Sequence, residues 1–469
     1  MLKSLIYVPV VVTLLATPNS VLFSQKIQFQ RHYGEGLETG NSVQQTSDGG
    51  YIIAGSSAGL YLIKTTPSGD TLWTRTYGGA SRGYSVRQTF DNGYIVAGSS
   101  AEFGYLIRTS PSGDTLWTRT FSRGISLGLW DVQQTSDGGY ITVGTTHATV
   151  GDPSNVYLIR TSPSGDTLWT RTFKSGGDYG DTGNSVQQTS EGGYIIAGAI
   201  DASDVRFDVF LIKTNPSGDT LWTRRYPGYG HSVQQTGDGG YIISGTYLWF
   251  GLPVGAILIK TNSVGDTLWT RTYRTRDGYG SGRSVQQTSD SGYILVGTAG
   301  PRFAPSDVCL FKTNSSGDTL WTRTYGDTSS DWGNSVRQTT DGGYIIAGTT
   351  NSFGSPPSYV YLIKTQADGT VGVRNLGTDD MPTRFRLEQN YPNPFNPSTT
   401  ILYSLPVRSH VVLKVYSIIG EEVATLADET QEAGFKSVVV DAGNLASGVY
   451  FYKLMSGGFV EIRRMLLIR

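Results

Sequence analysis

"FQRHYG" (29–34) is a worn copy of a segment that recurs downstream as "LWTRTYG" or a close variant, and its place near the start of the chain decides the architecture. Four elements repeat in fixed order. "SVQQT" or a variant begins at Ser42, Ser85, Asp131, Ser185, Ser232, Ser284 and Ser335. "DGGYIIAG" follows, with its tyrosine at 51, 94, 140, 194, 241, 293 and 344. "YLIK" then ends at Lys64, Arg108, Arg160, Lys213, Lys260, Lys312 and Lys364. The last element, "GDTLWTRTY", carries Trp73, Trp117, Trp169, Trp222, Trp269 and Trp321, one fewer than the others.

Each element is short, rich in β-branched and aromatic residues and bounded by turn residues, which is the pattern of strands. Asp-Gly in "TSDGGY" suits a tight hairpin, and Pro67 and Gly69 in "TPSGD" suit a second turn. Each unit therefore reads as a four-stranded antiparallel meander, A to D. Successive tryptophans lie 44, 52, 53, 47 and 52 residues apart. Seven such units predict a seven-bladed β-propeller, with a solenoid as the competing arrangement. The seventh unit stops after "YLIKTQADGTV" and writes no "LWTRTY" of its own. Phe29, Arg31, Tyr33 and Gly34 supply the counterparts of its Trp, Arg, Tyr and Gly. The N-terminal strand is thus expected to be strand D of blade 7, closing the ring and leaving no end to cap. The repeats resemble secreted, tryptophan-containing bacterial propeller repeats, and "YLIKTTPSGDTLW" is similar to the strand–turn–strand of quinoprotein propellers.

Residues 1–25 read as a secretory signal: Lys3, an apolar run from Leu5 to Ala16, then Pro18 and polar residues. No stable transmembrane segment is expected once it is removed. The propeller is assigned to 26–373, a linker to 374–384 and a second domain to 385–469. Alternation in "VVLKVYSI" and "GVYFYKL" predicts a small β-sandwich there. Tyr391–Pro397, Gly420–Leu426, Leu445–Tyr452 and Arg463–Arg469 together closely resemble the type A sorting domain of the type IX (Por) secretion system. That resemblance implies an immunoglobulin-like module, export across an outer membrane by the type IX machinery, and a secreted or surface-held product.

The chain has 469 residues, 61 glycines, 12% aromatic residues and a net charge of -1, so it lacks the basic excess of a nucleic-acid binder. Cys309 is the only cysteine and fills the slot of Tyr61 or Tyr105, which predicts a buried structural thiol. His32, His147, His231 and His410 have no ligand-like spacing, and Asp178, Asp181, Asp327 and Asp331 fit no calcium loop. The repeated Asp48, Asp137, Asp238 and Asp341 belong to hairpin turns. No metal or cofactor is therefore expected, and no G-x-S-x-G, P-loop or Rossmann motif marks catalysis.

In a meander the B–C and D–A connections share one face, and here they vary widely while the other turns are uniform. Variable loops on a rigid scaffold point to binding on that face, which carries Trp130, Tyr179, Tyr229, Tyr247, Trp249, Phe250, Tyr279, Trp332 and Phe353. The residues just before strand A are Asn41, Tyr84, Trp130, Asn184, His231, Arg283 and Asn334. With strand A innermost, they would ring one mouth of the channel, a setting suited to a glycan or protein ligand. Three readings stand in order: an exported binding scaffold, a structural or adhesive protein without a discrete ligand, and an extracellular hydrolase or oxidoreductase.

Overall fold

The computed structural model describes residues 28–371 and 385–468, apart from 35–36, 79–80, 101, 148, 150–151, 176–179, 204–205, 250–251, 275–277, 302–304, 353–357, 388–389, 391–392, 394, 396 and 444. The expected signal (1–25) and linker (374–384) lie outside the described residues. The chain divides into two units, 1–372 and 373–469.

Blade 1 shows how the repeat folds. Strand A (Thr39–Gln45) turns into strand B (Tyr51–Ser56) through Asp48, whose Oδ1 accepts from Thr46 Oγ1 at 2.5 Å and from the Gly50 N–H at 3.0 Å. Both turn glycines are needed, for different reasons. Gly49 has φ +82°, and a Cβ on Gly50 would stand 2.1 Å from the Thr65 carbonyl oxygen. Strands C (Leu60–Thr65) and D (Thr71–Tyr77) complete the sheet in the order A-B-C-D.

Among the described residues, seven four-stranded sheets repeat this plan, six of them in sequence order and the last in the order Phe29–Tyr33, Tyr359–Thr365, Tyr344–Thr350, Asp331–Gln338. Each strand A touches that of the next blade, and Asp331–Gln338 touches Thr39–Gln45, so the A strands close a ring around a channel. Strand B is buried on both faces, for example Ile52 and Ile53 at 0% exposure, and supplies the apolar contacts between blades. Each such isoleucine contributes about 1.5–3 kcal/mol of burial.

The N-terminal strand is strand D of blade 7. Phe29–Tyr33 pairs antiparallel with 360–364. Its three signature side chains repeat the contacts of the other D strands. Phe29 meets Tyr51 edge-on at 6.1 Å, as Trp73 meets Tyr94 at 5.9 Å. Arg31 lies over the Phe29 ring at 5.6 Å, as Arg75 lies over Trp73 at 5.8 Å. The Tyr33 hydroxyl donates to Gly69 O at 2.5 Å, as Tyr77 donates to Gly113 O. Closure is therefore carried by side chains as well as by backbone pairing.

Each blade also buries the cation that ends strand C against its own hairpin carboxylate. Lys64 is 4% exposed and sits 2.8 Å from Asp48; Arg108–Asp91, Arg160–Asp137, Lys213–Glu191, Lys260–Asp238, Lys312–Asp290 and Lys364–Asp341 repeat the pair. The hairpin carboxylates, six aspartates and Glu191, thus sit in the turn and neutralise a buried charge at once.

The second unit is a sandwich of two sheets. One orders Arg386–Leu387, Ser398–Leu405, Gly434–Asp441; the other orders Glu422–Gln431, Ser409–Ser417, Gly448–Ser456, Phe459–Leu467. Ile401 and Tyr403 from the first meet Leu413, Tyr452 and Leu454 from the second in one core. Phe395, 2% exposed, ties the entry segment to the last strand: its N–H donates to Leu466 O and its carbonyl accepts from Ile468 N.

Candidate functional site

Every position of "SVQQT" has a separate task at the ring's inner wall. The serine oxygen accepts the valine N–H of the next blade, as in Val86 N–H to Ser42 Oγ at 3.3 Å, and the valine enters the core. The first glutamine accepts the next blade's backbone N–H at 2.6–2.8 Å in five of the seven blades. The second reaches back to accept the hairpin N–H of the preceding blade in all seven. The threonine hydroxyl bonds the turn carboxylate, closing the hairpin.

The residue before this motif does not precede strand A, as expected from sequence, but lies within it at a β-bulge. Pairing with strand B skips from Gly40 to Ser42, and the same skip occurs in every blade, leaving Asn41, Tyr84, Trp130, Asn184, His231, Arg283 and Asn334 unpaired. A bulge re-aims a side chain that regular alternation would bury. All seven residues line one cavity of 280 Å³ at the channel mouth.

Their roles differ. The three asparagines staple neighbouring blades, Asn41 to Gly83 O and Asn184 to Gly230 O at 2.7 Å, and Asn334 to Gly40 O at 2.9 Å. Tyr84 and Trp130 meet edge-on at 4.4 Å, with Trp130 Nε1 donating to Thr145 Oγ1. His231 stacks obliquely on Tyr229 at 4.9 Å with Nε2 3.0 Å from Thr246 Oγ1. Burial, reinforced by the Arg283 charge, holds His231 well below its ordinary pKa, so the ring is neutral at pH 7.

Three lining residues depart from the repeat, and sequence reasoning passed over two of them. Arg87 and Arg337 replace the first glutamine, and Asp131 replaces the serine. Asp131 Oδ1 accepts from Ser85 Oγ at 2.7 Å and from Arg87 Nη2 at 3.2 Å, while Oδ2 accepts the Val186 N–H at 3.1 Å. Among the described residues Arg337 donates only to its neighbour's carbonyl, Val336 O at 3.2 Å. Loss of solvation around it, and the like charge of Arg87, pull Arg337 down to about 10 against the partial relief of Asp131. It remains charged at neutral pH. Alignment of the seven motifs alone would have exposed "SVRQT", "DVQQT" and "SVRQT" as the irregular members.

His231 and Arg283 also belong to a groove of 580 Å³ on the variable-loop face, lined as well by Tyr229, Leu248, Pro301 and Trp332. Channel mouth and groove therefore share two lining side chains. Tyr179, Phe250 and Phe353 lie outside the described residues, as do the side chains of Trp249 and Tyr279. Trp73 and its equivalents are held in the blade interfaces, away from the mouth. Asp181 accepts the Ser175 N–H and Asp331 the Asp327 N–H; each is buried as the first residue of strand A in its blade, three positions before Asn184 and Asn334, and Asp178 is outside the described residues. Among the described residues no three His, Cys, Asp or Glu side chains form a metal-ligating group.

Residues 389–468 match the Por secretion tail, the secretion system C-terminal sorting domain. No curated protein sequence matches the chain. Among solved structures, an ulvan lyase of a new polysaccharide lyase family, bound to -[GlcA(1-4)Rha3S]-, aligns over 72% of this chain and 96% of its own at 9% identity, with a TM-score of 0.52. The WD40 β-propeller domain of Doa1 aligns over 72% and 97% at 13% identity and 0.49. PorZ, a surface component of the type IX secretion system of Porphyromonas gingivalis, aligns over 90% and 58% at 10% identity and 0.44. At such identities the likeness is one of fold. The chain is a seven-bladed β-propeller followed by a type IX sorting module, and it is exported to the cell surface or beyond.

Proposed function

We propose that this exported propeller is a binding scaffold, acting by recognition and not by catalysis, whose ligand is a glycan or peptide segment lying in the groove and reaching the channel mouth. The observation that carries the reading is the groove itself. Tyr229, His231 and Trp332 offer ring faces beside the Arg283 guanidinium and the hydroxyls of Thr246 and Ser281, within a cavity of ligand size. Aromatic faces stack on sugar rings or apolar side chains, while the neighbouring polar groups fix orientation. The sorting module delivers that surface outside the cell through contact with the type IX machinery.

Glycan and peptide arrays probed with the exported protein test this. Retained spots that lose signal with Trp332→Ala or Tyr229→Ala are the expected result. Blank arrays, or signal indifferent to both variants, would overturn it and favour a structural or adhesive role.

A further inference from the structure

We propose that the channel mouth is a binding site for one oxyanion group, a carboxylate or a sulfate, carried by the propeller's ligand and held by Arg337 with Arg283. This rests on the channel mouth and groove forming the ligand site.

The charge balance comes first. The cavity is lined by Arg87, Arg283, Arg337 and Asp131, with His231 neutral, which leaves a net charge of about +2 in a narrow polar channel. The whole chain carries -1, so this positive potential is local. Asp131 commits one oxygen to Arg87 and Ser85 and the other to the blade 4 backbone. Neither Arg337 nor Arg283 has a carboxylate partner among the described residues.

The cost of Arg337 comes second. In five blades this position is a glutamine that accepts the next blade's N–H. Arginine has no acceptor, so the bond from blade 7 to blade 1 is lost, and a guanidinium is set beside Arg87. Both changes work against the ring, and among the described residues Asp131 relieves the second only in part. A local rule broken at a cavity, with incomplete compensation in the fold, is the mark of a functional site. The surroundings then suit an oxyanion: guanidinium forks for charge, and the Ser335 hydroxyl and Gln286 amide alongside for hydrogen bonds.

Calorimetric titration of the full-length exported protein at low ionic strength, with inorganic sulfate, glucuronate, an acidic dipeptide and neutral glucose as probes, tests the site. Sulfate and at least one carboxylate probe are expected to bind and to weaken with added salt, while glucose does not. Arg337→Gln, which restores the repeat's own residue, should weaken them about tenfold or more. Asp131→Ser, which also restores the repeat, should tighten them. Preference for glucuronate or for the dipeptide identifies the source of the carboxylate. No binding by any anion, or equal affinity in Arg337→Gln, overturns the proposal. Arrays that find a Trp332-dependent neutral ligand while every anion fails would remove the anion site and leave the groove reading intact. Arginine-dependent anion binding with blank arrays would do the reverse.

Discussion

Arg87 Nη2 and Asp131 Oδ1 stand 3.2 Å apart across the boundary between blades 2 and 3, joining two of the three places where the inner wall abandons its repeat. Their side chains are 21% and 11% exposed, so neither charge is well hydrated. Asp131→Ser should lower stability by about 2 kcal/mol, because it strands a partly buried guanidinium. Adding Arg87→Gln should recover most of that loss. Chemical denaturation of the two single variants and the double variant measures the coupling; simple additivity would mean the pair contributes nothing.

Leu129 and Gly104 show an exchange of volume between neighbouring blades. Elsewhere a glycine before the bulge faces an apolar residue opening strand C, as Gly83 faces Leu60 and Gly40 faces Val360. Between blades 2 and 3 the sizes are reversed, and a Cβ on Gly104 would stand 2.6 Å from Leu129 Cγ. Leu129→Gly should cost about 3 kcal/mol or more through the cavity it opens. Gly104→Leu alone should clash, and the double exchange should be more stable than either single variant in thermal melts.

Ring closure depends on Phe29, which is 5% exposed and belongs to the core between blades 7 and 1. Phe29→Ala should destabilise by about 3–4 kcal/mol. Hydrogen exchange should then rise first along 359–365, the strand that Phe29–Tyr33 covers. An unchanged exchange pattern there would separate the N-terminal strand from closure.

Acid should loosen all blades together. Burial acts to raise the Asp238 carboxyl, but hydrogen bonds from Lys260, Thr236 and the Gly240 N–H outweigh it and hold the group at about 2. Asp48, Asp91, Asp137, Glu191, Asp290 and Asp341 are shifted in the same direction. The folded carboxyls bind protons more weakly than the unfolded ones. Their stabilisation is complete above about pH 4 and is lost as pH falls toward 2. Most of these carboxylates are more than half exposed, so solvent screening limits each contribution. His231, neutral when folded, adds a loss that begins below about pH 6.5. Melting temperature against pH should therefore slope gently below 6.5 and steeply below 4.

Cys309 should be inert in the native protein. It is fully buried in strand C of blade 6, and burial, with Asp307 nearby, pushes the thiol up to about 12. A thiol reagent at pH 8 should label it only at the rate of unfolding. Rapid labelling without denaturant would show an opening of that blade that its buried strand does not predict.

Blade number, strand order, ring closure and the sorting module were legible in the sequence. Each depends on a local pattern written repeatedly, and Phe29, Arg31 and Tyr33 kept enough of theirs to be matched with Trp73, Arg75 and Tyr77. The seven residues at the mouth were also legible as a set, though not their setting. A bulge adds one residue to strand A and shifts the alternation of side chains, and periodicity alone cannot reveal that. Only the tertiary structure decided what those positions do: asparagines became staples, and His231 and Arg283 line both the channel and a groove. It also decided that Arg87, Asp131 and Arg337, which lie in three different repeats, face one cavity. Closing the ring makes distant repeats neighbours, and the balance of charge inside it exists only once it is closed.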